Sequence, residues 1–131
     1  MERDFTFRRG DICWYRDPMP SGDSYVLHET RPAVVISSDT YNEKSGTVVI
    51  IPMTRNTTRR CFSNQIDIVI DGIRSRIRCD QVRVTDKSTL FPPHAKLDDT
   101  ALEALEDALL NALGFNMEKK STATLAVMYD C

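Results

Sequence analysis

The chain has 131 residues, 41% of them hydrophobic, with 17 basic and 19 acidic side chains for a formal charge of −2. That length suits one domain with a single core and is short for two. So small a net charge gives no sign, taken whole, of a polyanion partner. No apolar run approaches the roughly 20 residues of a membrane helix, and the opening MERDFTFRRG lacks the apolar segment of a secretory signal. Cys13, Cys61, Cys79 and Cys131 form neither a CxxC nor a cysteine-histidine cluster at metal spacing. The expectation is a cytoplasmic protein in a reducing compartment, without metal or other cofactor, whose thiols mostly serve as small buried hydrophobes.

In chain order, Gly10-Asp11 opens the segment ICWY, aromatic and β-branched as strands are, which stops at Asp17-Pro18. Residues 17 to 30, DPMPSGDSYVLHET, carry two prolines and a Ser-Gly-Asp-Ser cluster and read as a long loop. The runs AVVIS and TVVIIPM, joined by the polar SDTYNEKSG, read as neighbouring antiparallel strands near the centre of a small barrel or sandwich. Pro52 cannot donate to a ladder, so the second run is expected to end or bulge there and to leave Thr54 at its terminus. RNTTRRCFSN, 55 to 64, is a basic loop. QIDIVIDG alternates with period two, a strand with one wet face that ends in a turn at Asp71-Gly72. IRSRIRCDQVRV alternates likewise, with Arg74, Arg76 and Arg78 on one face and Ile73, Ser75 and Ile77 on the other. After Pro92-Pro93 the period changes, and Leu102, Leu105, Leu109 and Leu113 form the stripe of an amphipathic helix packed on the core. Asp98, Asp99 and Thr100 offer N-cap oxygens, Thr100-x-x-Glu103 matches a capping box, and Gly114 suits a C-terminal cap. Residues 1–114 are expected to form the domain, and 115–131 a C-terminal extension that adds a strand or frays.

Charge is unevenly spread. Residues 55 to 83 hold seven arginines against three acids, whereas 98 to 107 hold five acids and no base. Such asymmetry is either a solvated arginine face or the footprint of nucleic acid or another acidic partner. The catalytic inventory is thin: two histidines, His28 and His94, no GxSxG, no P-loop and no GxGxxG. What remains is arginine, threonine, serine and backbone donors. RNA carries its own nucleophile, the 2′-hydroxyl, so its cleavage asks mainly for in-line positioning, proton traffic and stabilisation of charge on the phosphate oxygens. Arginine offers a planar fork to two such oxygens, and a threonine hydroxyl adds a further hydrogen bond.

Arg8-Arg9-Gly10-Asp11 before an aromatic strand, then Arg31-Pro32-Ala33-Val34-Val35-Ile36-Ser37, Asp39, Tyr41-Asn42, Ser45-Gly46, Pro52-Met53-Thr54 and Asp80-Gln81-Val82-Arg83 follow one another in that order. The ordered set resembles the MazF/PemK family of toxin endoribonucleases. The resemblance implies a mainly β fold, a small SH3-like barrel of antiparallel strands with a C-terminal α-helix, assembled as a homodimer. It also implies metal-independent, sequence-selective cutting of single-stranded RNA to 2′,3′-cyclic phosphate and 5′-hydroxyl ends, which inhibits translation and growth. A cognate antitoxin would neutralise the enzyme by laying an acidic segment over the RNA groove.

By position Arg31 matches the family's catalytic arginine and Thr54 its catalytic threonine, and Pro32 biases Arg31 towards extended geometry. Arginine stays protonated in proteins, so Arg31 is expected to stabilise charge or to donate as an acid, Thr54 to orient the phosphate, and the 2′-proton to leave through solvent or another group, for which His28 is the candidate. Gln81 and Arg83 match the segment that borders the groove, where Gln reads a splayed base and Arg a phosphate or base edge. Arg55, Arg59 and Arg60 are expected to touch phosphates irrespective of sequence. Trp14 has two readings, a ring that stacks on a base or, more often for a lone tryptophan on a first strand, part of the core. Family members carry a Gly-Ser-Glu element before the arginine, whereas the loop here reads SGDSYVLHET with neither Ser21 nor Ser24 at the usual spacing. No catalytic serine is therefore carried over. Two other readings stay open: a non-catalytic member of the fold that binds a protein such as DNA gyrase, and a plain RNA-binding barrel without turnover.

Overall fold

A computed structural model describes residues 6–17 and 30–115. The described elements are β1 Asp11–Arg16, β2 Thr30–Val35, α1 Asp39–Lys44, β3 Thr47–Thr54, β4 Gln65–Ile70, β5 Ile73–Arg78, β6 Arg83–Asp86, β7 Ala95–Lys96 and α2 Asp99–Leu113. Short 3-10 turns at Cys79–Gln81 and Lys87–Thr89 flank β6. The strands pair antiparallel in the order β4-β5-β3-β2-β1-β7, with β6 beside β3. A bridge from Tyr15 to Leu90 brings the chain after β6 back to β1. The sheet thus curls towards a barrel, the mainly β architecture with a C-terminal helix expected from the sequence.

The two central runs are apolar throughout because both of their faces are buried. On one face Ile12, Val34, Ile51 and Met53 pack with Ile77, Leu97, Leu105 and Ala108 beneath α2. On the other, Cys13, Tyr15, Ala33, Val35, Val48 and Ile50 pack with Phe7 and Leu90. Each fully buried aliphatic side chain stabilises the fold by roughly 1.5–3 kcal/mol. In α2 the leucine stripe reaches the core through Leu105, fully buried, with Leu102 and Leu109 half-buried beside it; Leu113, in the last turn, is exposed.

Several local expectations change. The helix cap is Asp98, whose carboxylate accepts from the Ala101 amide at 2.8 Å, so Thr100 and Glu103 lie inside the helix and form no capping box. Gly114 ends it in the left-handed region, φ 84°, as expected. The polar link after β2 folds into α1, capped by Ser38 and anchored by the buried Asn42, which donates to the Ser37 carbonyl at 3.0 Å. β3 neither ends nor bulges at Pro52, which stays in register opposite Ala33. On the other edge of β3 the partner changes from β6, ending at Ile50, to β5, starting at Met53, so Pro52 sits in the gap between those two ladders. Its missing N–H therefore falls where neither ladder claims a donor. The expected extra strand in the C-terminal extension lies, from residue 116 on, outside the described residues.

The thiols divide in two. Burial, with Asp11 and Asp80 adding to it, pushes the Cys13 and Cys79 thiols up to about 12, whereas Cys61 is exposed on the basic loop. A disulfide reagent at about pH 8 is expected to modify Cys61 and to spare Cys13 and Cys79 until denaturant is added. Peptide mapping that finds Cys13 or Cys79 labelled in the native protein would contradict this. No helix among the described residues is long and apolar enough to cross a membrane.

Candidate functional site

The β2/β3 ladder pairs Val35 with Ile50, Val34 with Ile51 and Ala33 with Pro52. Carried two steps further, that register sets Arg31 opposite Thr54. Tyr15 faces Arg31 across β1/β2, Thr54 faces Arg76 across β3/β5, and Arg76 faces Asp67 across β5/β4. Residues directly opposed in an antiparallel ladder point to the same face. Tyr15, Arg31, Thr54, Arg76 and Asp67 therefore form one lateral row, and the site is a product of strand register rather than of any local motif.

Within the row, Arg31 is half-buried and its Nη1 donates to the Met53 carbonyl at 3.4 Å, which holds the guanidinium against the end of β3. Thr54 Oγ1 accepts from the Asn56 amide at 3.1 Å as the chain leaves the strand. Accepting that bond leaves the hydroxyl hydrogen available to an incoming oxygen. Thr54 and Asn56 belong to the lining of two cavities at once. One, of about 310 Å³, is completed by Trp14, Thr30, Arg31, Pro32, Met53 and Arg55. The other, of about 340 Å³, is completed by Arg59, Arg60, Phe62, Gln65, Arg76 and Arg78.

The arginines around these cavities are of two kinds. Arg76 makes a two-pronged contact with Asp67, Nε to Oδ1 at 2.7 Å and Nη2 to Oδ2 at 3.0 Å, and Arg74 reaches the same carboxylate at 3.0 Å. The Arg76 guanidinium thereby holds the Asp67 carboxyl below the usual carboxylate range, and Asp67 raises Arg76 in return. Arg78 is likewise forked onto Asp80, at 3.0 and 2.8 Å. So the strand face that shows three arginines does so with two aspartates neutralising it. Arg55, Arg59 and Arg60, by contrast, form no ion pair among the described residues, which leaves their charge to the cavities they line.

Of the residues expected to act, Arg31, Thr54 and Arg55 meet in the first cavity, and Arg59 and Arg60 join Thr54 in the second. Gln81 and Arg83 line neither. Arg83 lies over the Tyr15 ring at 5.8 Å and pairs with Asp17 at 3.5 Å, and its Nη2 donates to Gln81 Oε1 at 3.3 Å. They stand beside the Tyr15 end of the row rather than beside Thr54. His28 lies outside the described residues. Trp14, for which the core was the favoured of two readings, is exposed and stacked on His94, with ring centroids 6.0 Å apart and 20° between planes. Phe62, Gln65 and Asn56 are cavity residues that the sequence reading did not single out; a solvent-facing aromatic in an arginine-rich loop was the available signal for Phe62.

The family of PemK-like, MazF-like toxins of type II toxin-antitoxin systems matches residues 8–113. Among solved structures, MazF from Deinococcus radiodurans is similar at a TM-score of 0.73 and 21% identity, over 86% of this chain and 100% of that one. An endoribonuclease in complex with its cognate antitoxin, from a mycobacterial species, is similar at a TM-score of 0.66 and 19% identity, over 83% and 96%. A MazE–MazF complex from Deinococcus radiodurans is similar at a TM-score of 0.66 and 20% identity, over 86% and 100%. At these identities the structural likeness is one of fold, whereas the sequence match spans the whole row from Tyr15 to Asp67 and both cavities. The chain belongs to the PemK-like, MazF-like toxins of type II toxin-antitoxin systems.

Proposed function

We propose that this toxin is a metal-independent endoribonuclease that cuts single-stranded RNA at short sequences, and that the reaction takes place where Arg31 and Thr54 meet. The observation that carries this reading is the register that brings a guanidinium and a free hydroxyl hydrogen to the border of two basic cavities. In the reaction the 2′-oxygen attacks the adjacent phosphorus and forms the new P–O bond. The bond to the 5′-oxygen breaks, leaving a 2′,3′-cyclic phosphate on one product and a 5′-hydroxyl on the other. Negative charge grows on the non-bridging oxygens, where the planar fork of Arg31 and the Thr54 hydroxyl offer preorganised donors. Arg31 stays protonated and stabilises charge rather than acting as the base; the 2′-proton passes to solvent or to His28, and the departing 5′-oxygen takes up a proton from solvent, which yields the 5′-hydroxyl. Arg55, Arg59 and Arg60 hold neighbouring phosphates without reading sequence, and Gln81 and Arg83 border the track further on. The same basic track suits the acidic segment of a cognate antitoxin.

The protein works as a homodimer in this reading, in line with an exposed Val84 on β6, a strand that pairs on one side only, with β3, among the described residues. The test incubates the purified chain with a long single-stranded RNA in EDTA and maps product ends, with light scattering on the same sample. Specific cuts bearing 5′-hydroxyls, made by a particle of dimer mass, are expected. Salt-dependent RNA binding with intact substrate would reduce the protein to an RNA-binding barrel, and gyrase binding without RNA cleavage would move it to a protein target.

A further inference from the structure

We infer that Trp14 and Phe62 are stacking platforms for two unpaired bases, one on each side of Thr54, and that they set the base preference of the cut; this rests on the RNA-cleaving reading above. Among the exposed large apolar side chains of the described residues, these two line the cavities that Thr54 borders. Trp14 is 37% exposed although its β1 neighbours Cys13 and Tyr15 are buried, and Phe62 is 57% exposed. Trp14 lies in the cavity that holds Arg31, with His94 backing it; Phe62 lies in the other cavity, with the Arg60 guanidinium 6.0 Å from its ring centroid. Aromatic rings that share a cavity with arginines are the equipment of single-strand binding, since every base has a face that stacks and every nucleotide brings a phosphate. Gln65 in the Phe62 cavity adds a reader: its Oε1 accepts from the Phe62 amide at 3.4 Å, which leaves its NH₂ hydrogens for a base edge.

The arrangement also bears on the reaction. With the scissile phosphate at Thr54, the bases on its two sides enter different cavities and cannot stack on one another. Breaking that stack frees the linkage to rotate the 2′-oxygen into line with the departing 5′-oxygen, a geometry that a regular helical strand withholds. Base-paired RNA keeps its stack and should be refused.

Trp14 is the chain's sole tryptophan, so its emission reports on that platform alone. The probe is a randomised single-stranded oligonucleotide with 2′-fluoro riboses, which lacks the nucleophile and survives the measurement; its binding is followed by anisotropy. Trp14 emission is expected to fall saturably with the anisotropy midpoint, and the same oligonucleotide in duplex form should leave it unchanged. Trp14→Ala and Phe62→Ala should each weaken binding by about 5- to 150-fold, the range of one lost base stack. Trp14→Phe should retain most of the affinity, which separates stacking from damage to the fold. In the cleavage assay each alanine variant should relax base preference on one side of the cut only. Binding by anisotropy with Trp14 emission and both alanine affinities unchanged would overturn this inference and leave the nuclease reading standing. No binding at all would overturn both.

Discussion

Replacing Arg31 by alanine is expected to slow cleavage of single-stranded RNA by about 10²- to 10³-fold, the usual loss when one preorganised donor to a developing oxyanion is removed. The fold should survive, since Arg31 is half-buried at a cavity and belongs to neither buried apolar cluster. Arg31→Lys should recover little, because an ammonium cannot present two parallel donors to two phosphate oxygens. Thr54→Ala removes the second donor and should cost a comparable factor, whereas Thr54→Ser keeps the hydroxyl and should retain most of the rate. The two residues line one cavity, and in the proposed reaction they act on one phosphate. The double variant should therefore lose less than the product of the single losses. Single-turnover rates with excess enzyme separate this from weaker binding. Rates unchanged by either substitution would remove the row from the mechanism and leave the cavities as a binding track alone.

Much of this site was legible, but unevenly, and the reasons are physical. AVVIS and TVVIIPM announced two central strands because both faces are buried, yet a run without period says nothing about register. That Arg31 and Thr54 oppose each other follows only once Ala33 is known to pair with Pro52. At the next hairpin the sequence did contain the register. The two-residue turn at Asp71-Gly72, both with positive φ, puts Ile70 opposite Ile73 and hence Asp67 opposite Arg76. The arginine face was foreseen from alternation, but not that Asp67 and Asp80 would occupy it. α1 spans only Asp39–Lys44, too short to display a helical period, and rests on the buried Asn42 instead of an apolar stripe. Trp14 was left with two readings because alternation on β1 is ambiguous. Ile12 and Cys13 are both buried, on opposite faces, and Trp14 falls on the α2 side but beyond the residues that pack there.

Replacing Asp67 by asparagine is expected to destabilise the fold by about 3 kcal/mol near neutral pH, the low end for breaking an ion pair removed from water. Arg76 is only 4% exposed, and without Asp67 its charge loses a two-pronged partner; the neighbouring cavity admits water and softens the loss. The pH dependence has a definite sign. Folding lowers the Asp67 pKa, so the contribution is complete above the unfolded carboxylate value of about 4 and is lost as pH falls through the lower, folded value. Urea titrations should show wild type and Asp67→Asn furthest apart at neutral pH and converging in acid; a constant gap across that range would place the contribution elsewhere. The same pairing sorts the arginines by task. Arg76 is already neutralised, so Arg76→Met should lower stability with little effect on the salt dependence of RNA binding. Arg59, without an ion pair among the described residues, is free to displace counterions, and Arg59→Ala should leave stability intact while lowering that slope by about 0.7. An equal change of slope for both would mean that RNA draws Arg76 away from Asp67, and the row would then be a switch between an internal carboxylate and an external phosphate.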